Sequence, residues 1–287
     1  MLSFGYTIAS WVLAGLLASF CGVFLFLGRS IQRTLAMVQV PLSLHLWLAP
    51  LAPAMATWGL LATSTGRSFP MVTGIEPGTA VLFFTAIIVY LLSPVASGKC
   101  YPLSGGAGVI VNLAALVASM IAIERLVFKD PTALRRLLYA GLSDVPTLDT
   151  FTVVLTSTAV FLLLTKLFPD KFLGTLMCPT CTCSAPTGED AWKALLLLLC
   201  ALAIASVLPI TGALFSLALV IAPPFLAARR YSSVSALLLV SSLIGMTLAL
   251  LGVLGERYLG LPGGLLGTFL TGLLLFFIPE RSSNGGQ

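Results

Sequence analysis

The densest group of reactive side chains in the sequence is Cys178-Pro-Thr-Cys181-Thr-Cys183. As thiolates, three sulfurs this close could hold Zn²⁺ or Cu(I), or cycle between thiol and disulfide. A structural zinc site usually takes four ligands, and no fourth Cys or His stands nearby in sequence. Cys178, Cys181 and Cys183 would therefore need a ligand from elsewhere, such as a second copy of the loop. The alternative is reduced thiols in a loop with another task. Cys21, Cys100 and Cys200 read as small apolar residues of helices and helix ends. His45 is the only histidine, and a lone His in an apolar helix more often bonds a neighbour than a metal. No apolar stretch holds paired carboxylates, so no enzyme constellation is visible. Ser104-Gly-Gly-Ala-Gly108 and Pro262-Gly-Gly264 lack the Lys-Ser/Thr of a phosphate loop and read as helix ends and close helix contacts. If ATP is used, another subunit must bind it.

The elements that carry these residues are set by composition. Of 287 residues, 58% are apolar and 9% charged, against roughly 25% charged in a soluble domain. The charges cluster at 29–33, 124–136, 166–171, 189–193, 229–230 and 256–257, with long apolar stretches between them. Crossing the hydrocarbon layer takes about 20 helical residues, whereas barrel strands alternate over about ten. Runs such as Ala194-Leu-Leu-Leu-Leu-Leu-Cys200 do not alternate. The fold class is all-α: a polytopic transmembrane bundle of eight or nine spans, in one domain over 1–287.

Apolar spans are expected over 5–27, 34–63, 79–97, 106–123, 150–168, 192–208, 211–228, 231–254 and 262–279. The second is interrupted by Pro41, Pro50 and Pro53, which suits a kinked or re-entrant piece. Only Pro209-Ile-Thr separates the sixth and seventh, a very tight reversal. Thr187-Gly-Glu-Asp190 is a plausible opening cap for the sixth. With the N-terminus outside, nine basic residues face the cytoplasm and six face outward. The net charge of +5 is spread over loops, which suggests the lipid bilayer and no nucleic acid as partner.

The C-terminal third carries a resemblance. Ile210-Thr-Gly-Ala-Leu, running through an apolar stretch to Ala222-Pro-Pro-Phe-Leu-Ala-Ala-Arg-Arg230, is similar to a signature of permeases in zinc/manganese/iron ABC importers. The two following spans, the last opened by Pro262-Gly-Gly264, match that family's ending. Gly28-Arg-Ser-Ile-Gln-Arg-Thr-Leu-Ala36 resembles its Arg-Arg-x-x-x-x-Gly-Asp-x-Leu-Ala-His turn and helix. Leu138-Tyr-Ala-Gly-Leu-Ser-Asp-Val-Pro-Thr-Leu-Asp149 resembles its Tyr-Leu-Phe-Gly-Ser-Leu-Leu segment. The likeness runs through nearly the whole chain in order.

What the resemblance implies is a type II ABC importer permease in a bacterial cytoplasmic (inner) membrane. It would form a homodimer, with separate ABC ATPase subunits and an extracytoplasmic solute-binding protein. The solute would be a transition-metal ion such as zinc or manganese, passing along Arg33, Met37, Gln39 and His45. Two departures qualify this. Aligning Thr34-Leu-Ala36 puts Arg33 at the family's Asp and Met37 at its His. An arginine cannot ligate a cation, and Met37 suits Cu(I) better than Zn²⁺ or Mn²⁺. His45 lies about 80° round the helix from Met37. Second, the cysteine cluster takes the place of the family's short helix that docks on the ATPase. Coupling to the ATPase would then run through the 169–192 loop, with Gly174, Cys178, Cys181 and Cys183. This subunit needs no cofactor of its own beyond a transition metal at that cluster.

Two other classes fit the same helices: a secondary transporter acting alone, or a membrane scaffold that kept the fold and lost the site. Against the first, no mid-span carboxylate stands ready to carry a coupling proton. The orientation predicts that residues 169–191 and the C-terminus face the cytoplasm. An impermeant thiol reagent applied to intact cells should leave Cys178 and Cys183 unlabelled. Labelling of either from outside would reverse the topology.

Overall fold

The computed structural model describes residues 2–27, 38–39, 106–127, 138–141, 148–177 and 188–277. These residues are helical apart from short connections, and no strand occurs among them. The helices are α1 (Leu2–Leu27), α2 (Gly106–Val127), α3 (Leu148–Leu167), α4 (Pro169–Met177), α5 (Gly188–Thr211), α6 (Ala213–Ala228), α7 (Val234–Leu259) and α8 (Gly263–Phe277). The expected spans 34–63 and 79–97 lie outside the described residues, except for 38–39.

Seven of the nine expected spans correspond to helices, and the differences lie at their ends. The sixth was expected to stop at 208, yet α5 continues through Pro209 to Thr211. The seventh was expected to open at 211, whereas α6 opens at Ala213. The whole reversal is made by Gly212, at φ 76° and ψ 163°, a conformation essentially restricted to glycine. The eighth span runs to Leu259 rather than 254, so Glu256 and Arg257 belong to its last turn. Ser233 caps its start, accepting from Ala236 N at 3.3 Å, and Gly260 closes it in the left-handed region at φ 68°.

α1 is the axis of the described bundle. It packs most extensively against α7, then α6, α5 and α3. Trp11, Ala14, Leu17, Ala18, Cys21 and Val23 are fully buried along it. The approach to α6 has a specific cause. Pro223 and Pro224 lie inside α6 and remove two backbone N–H donors, freeing the carbonyls of Leu219 and Val220. The Ser19 hydroxyl reaches the Leu219 carbonyl at 3.4 Å. Gly22 lies directly on the Val220 carbonyl, where a Cβ would collide with the oxygen. In a membrane, where no water can replace a lost donor, such contacts keep a proline-broken helix tolerable.

The other flank of α1 is a seam of small residues. A Cβ on Gly15 would stand 2.5 Å from the Gly245 carbonyl oxygen and 2.8 Å from Ala249 Cβ. A Cβ on Gly245 would meet the Ser19 hydroxyl, and Ser241 Oγ donates to the Ser19 carbonyl at 3.4 Å. Without an apolar driving force between helices in lipid, close backbone approach and hydrogen bonds carry the association. An aromatic cluster holds α3 to α1: Phe161 stacks edge-on against Phe20 at 5.6 Å and Phe24 at 5.8 Å.

The outer faces are apolar. Leu163, Leu239, Leu243, Phe269, Phe276 and Phe277 are among the exposed large side chains. α1 over Gly5–Leu27 and α7 over Val234–Leu259 are long and apolar enough to cross a bilayer. Gly22→Leu should therefore drive a side chain into the Val220 carbonyl, costing about 1–3 kcal/mol as an overpacked core. Gly272, with nothing within 4 Å of its Cβ position, should accept Ala without loss. Thermal unfolding in detergent checks both: a clearly lower midpoint for Gly22→Leu, and an unchanged or slightly higher one for Gly272→Ala.

Candidate functional site

The two ends of the bundle differ in construction. At one end α3 leads into α4, a nine-residue helix with Pro169 at its first position and Asp170 in its first turn. Both residues suit a helix start, since proline has no N–H to lose there and a carboxylate favours the positive end. Phe172 is fully buried and meets Trp192 of α5 edge-on at 5.6 Å, while Phe168 packs on Trp192 at 5.0 Å. Asp170 and Lys171 face outward and are exposed. α4 includes Gly174 and ends at Met177, immediately before the first cysteine of the cluster in sequence. Cys178, Cys181 and Cys183 themselves lie outside the described residues. At the same end, Arg229 lies 4.8 Å over the Phe225 ring and its Nη1 donates to the Leu275 carbonyl at 3.5 Å. A cation there suits the negative C-terminus of α8.

The opposite end gathers the start of α6, the start of α8, the last turn of α7 and the segment Leu138–Gly141. α6 and α8 have 16 and 15 residues, about 24 and 22 Å at a helical rise of about 1.5 Å. α1 and α7 have 26 each, about 39 Å. Gly263, which opens α8, lies against Gly252 of α7 and Trp11 of α1, both well inside their helices, so the short helices begin below the rim set by the long ones. Residues 138–141 lie over these recessed starts. A Cβ at Gly212 would stand 2.7 Å from Ala140 N and 2.8 Å from the Leu138 carbonyl. Gly264 N donates to the Ala140 carbonyl at 3.4 Å. The Glu256 carboxylate joins the pieces: its Oε2 accepts from Gly263 N at 2.7 Å, and its Oε1 sits 2.8 Å from the Cβ position of Gly141.

Below this junction lies a buried hydroxyl pair. Thr211 Oγ1 and Ser216 Oγ are 2.7 Å apart, and Ser216 Oγ lies 2.7 Å from the Gly212 carbonyl. Two hydroxyl protons serve both short contacts if Ser216 donates to Gly212 and Thr211 donates to Ser216. The Thr211 bond to the Val207 carbonyl, at 3.3 Å, is then the weaker one. The remaining polar side chains of the described spans mostly bond carbonyls one turn back, as Thr158, Thr268 and Thr271 do. These hydroxyls are satisfied within their own helices, whereas Trp11 Nε1 is buried without a hydrogen-bond partner.

Of the residues expected along the solute path, Gln39 alone falls within the described residues. Its backbone carbonyl accepts from Ser119 Oγ of α2 at 3.1 Å, and its Oε1 is buried with no hydrogen-bond partner. Arg33, Met37 and His45 lie outside the described residues. Cys21 and Cys200 are buried as expected, with Cys21 Sγ 3.8 Å from the Cys200 carbonyl. No cluster of three or more His, Cys, Asp or Glu occurs among the described residues. Sequence reasoning missed Glu256, because its partners Gly263 and Gly141 become neighbours only in the fold. Its position one turn before Gly260, with Pro262-Gly-Gly264 following, was the available signal.

Residues 62–279 match the ABC 3 transport family. Among solved structures, the chain is similar to that titled PsaBC from Streptococcus pneumoniae in complex with Fab. The TM-score is 0.65 at 18% identity, covering 97% of this chain and 92% of that one. That likeness establishes the fold. No curated protein matches. The family match extends over most of the sequence and ends at the last helix of a bundle with apolar outer faces, so this chain is an integral membrane permease that belongs to the ABC 3 transport family.

Proposed function

We propose that the chain forms, as a homodimer, the translocation path of an ATP-driven importer for a transition-metal ion. A separate ATPase couples to it through the 169–192 loop, and an extracytoplasmic solute-binding protein delivers the solute. The membrane is the bacterial cytoplasmic membrane. The observation that carries this reading is α4. Its apolar face is seated on Trp192 at the base of α5, while Asp170 and Lys171 stand outward. A push on its outer surface is passed to α5 through the Phe172–Trp192 contact. α5 in turn meets α6 through the single residue Gly212.

Support for a metal ion is the resemblance of the sequence to zinc/manganese/iron permeases. The exchange of that family's Asp/His pair for Arg33 and Met37 favours a soft monovalent ion or a ligand-bound metal over free Zn²⁺ or Mn²⁺. Arg33 and Met37 stand four apart and share a face if that stretch is helical, and a guanidinium there repels a free divalent cation. By their spacing in sequence, the cysteines that follow α4 would bind a metal or act as thiols within the coupling segment.

Two experiments test the reading. Replacing residues 174–186 by Gly/Ser should reduce solute-stimulated ATP hydrolysis to the basal rate in the reconstituted complex, with helix content unchanged by circular dichroism. Stimulation that persists removes the loop from coupling. Arg33→Asp combined with Met37→His should tighten Zn²⁺ or Mn²⁺ binding by tenfold or more, about 1.4 kcal/mol by calorimetry. Equal affinity in the unaltered protein would place the ion elsewhere.

A further inference from the structure

We propose that Glu256 is a positioning residue that latches the Leu138–Gly141 segment over the recessed starts of α6 and α8, covering them at the end of the described helices opposite α4. It rests on the permease reading only in assigning that end a role in opening; the cover stands on geometry alone.

Four observations carry it. First, Ala140 and Gly141 are buried but not helical. Non-helical backbone at membrane depth persists only where protein or a water-lined cavity satisfies it. Second, the bond that ties this segment to the start of α8 is long. Gly264 N reaches the Ala140 carbonyl only at 3.4 Å, near the limit for a hydrogen bond. Third, the Glu256 contact is short and charge-assisted, 2.7 Å from carboxylate to the Gly263 N–H at the positive start of α8. Its other oxygen faces Gly141. Fourth, the segment rests on Gly212, the one residue joining α5 and α6. Any change in the angle between those two helices moves the surface on which Leu138 and Ala140 sit.

The latch therefore joins three elements through one side chain: the last turn of α7, the first turn of α8 and the segment above Gly212. An acceptor oxygen is the property it requires. Glutamine keeps an acceptor of the same reach, and alanine removes it. Movement of α5, driven from its α4 end, would tilt the Gly212 junction and load this bond. Its release would uncover the recess while α1 and α7 hold their seam.

The test uses purified full-length protein in lipid nanodiscs, with Ala140→Cys as reporter and a polar, membrane-impermeant maleimide as probe. Labelling is read at residue 140 by peptide mass. Ala140 is 2% exposed, so the single variant should label slowly. Adding Glu256→Ala should speed labelling by tenfold or more, whereas Glu256→Gln should stay within about threefold of the parent. Ala203→Cys, in mid-α5 at 1% exposure, reports the rest of the bundle and should stay unlabelled throughout. The proposal is overturned if Glu256→Ala leaves the rate at 140 unchanged, or if glutamine accelerates it as much as alanine. A parallel rise at 203 also overturns it, since Glu256 would then be holding the whole fold. No ATPase or solute takes part, so a negative result here is separate from a failure of the importer reading.

Discussion

Two adjacent prolines in the middle of a helix leave two carbonyls without donors, and a bilayer supplies no water to replace them. Pro223 and Pro224 impose that constraint on α6, and the position of α1 follows from it. The Ser19 hydroxyl, bonded to the Gly15 carbonyl at 2.7 Å, stands 3.4 Å from one freed carbonyl, and Gly22 lets the α1 backbone lie against the other. Once α1 is that close to α6, its opposite flank must meet α7 at the same range, and only small residues allow it. Gly15, Ser19, Ser241, Gly245 and Ala249 supply them. A proline pair in one helix thus dictates side-chain size along two others.

Around that rigid seam the shorter helices form a more adjustable layer. α6 and α8 are tied to each other near both ends by different chemistry. At the α4 end Arg229 reaches the Leu275 carbonyl, and at the other end Gly264 packs against the Thr211 carbonyl beside Gly212. In mid-bundle Gly267 accommodates the far end of the Phe215 ring. Because α5 enters this layer through one residue in a glycine-only conformation, the α5–α6 angle is the natural place for change. The α1–α7 seam, by contrast, has no slack for a single added carbon.

Much of this architecture was legible in the sequence, since apolar length and charge clusters report membrane crossing directly. The helix ends were less so. A span that stops before Pro209 is expected, yet α5 continues through it to Thr211 without a proline N–H for the Ala205 carbonyl, and the break falls at Gly212 instead. The charges of Glu256 and Arg257 suggested that α7 had already ended, whereas both belong to its final turn. The cysteines drew attention from α4, whose Phe168, Phe172 and Trp192 declare their role only when packed. Glu256 could not be chosen from the sequence, because Gly141 becomes its neighbour only through the packing of the helices. The proposed path residues Arg33, Met37 and His45 were named by resemblance, and their placement lies outside the described residues.

The central place of α1 also bears on how the protein is made. Its main partners α5, α6 and α7 begin at Gly188, Ala213 and Val234, so roughly 200 residues must be synthesised before the α1–α7 seam can close. At about 5–20 residues per second, that interval is on the order of 10–40 seconds. For that time the groove of Gly15, Ser19 and Gly22 faces lipid or a temporary partner. Its polar groups are ready for that wait: Ser19 Oγ lies 2.7 Å from the Gly15 carbonyl of its own helix, a bond available before α6 exists. In the finished bundle that bond remains, and the same hydroxyl stands 3.4 Å from the Leu219 carbonyl, marking where α6 docks.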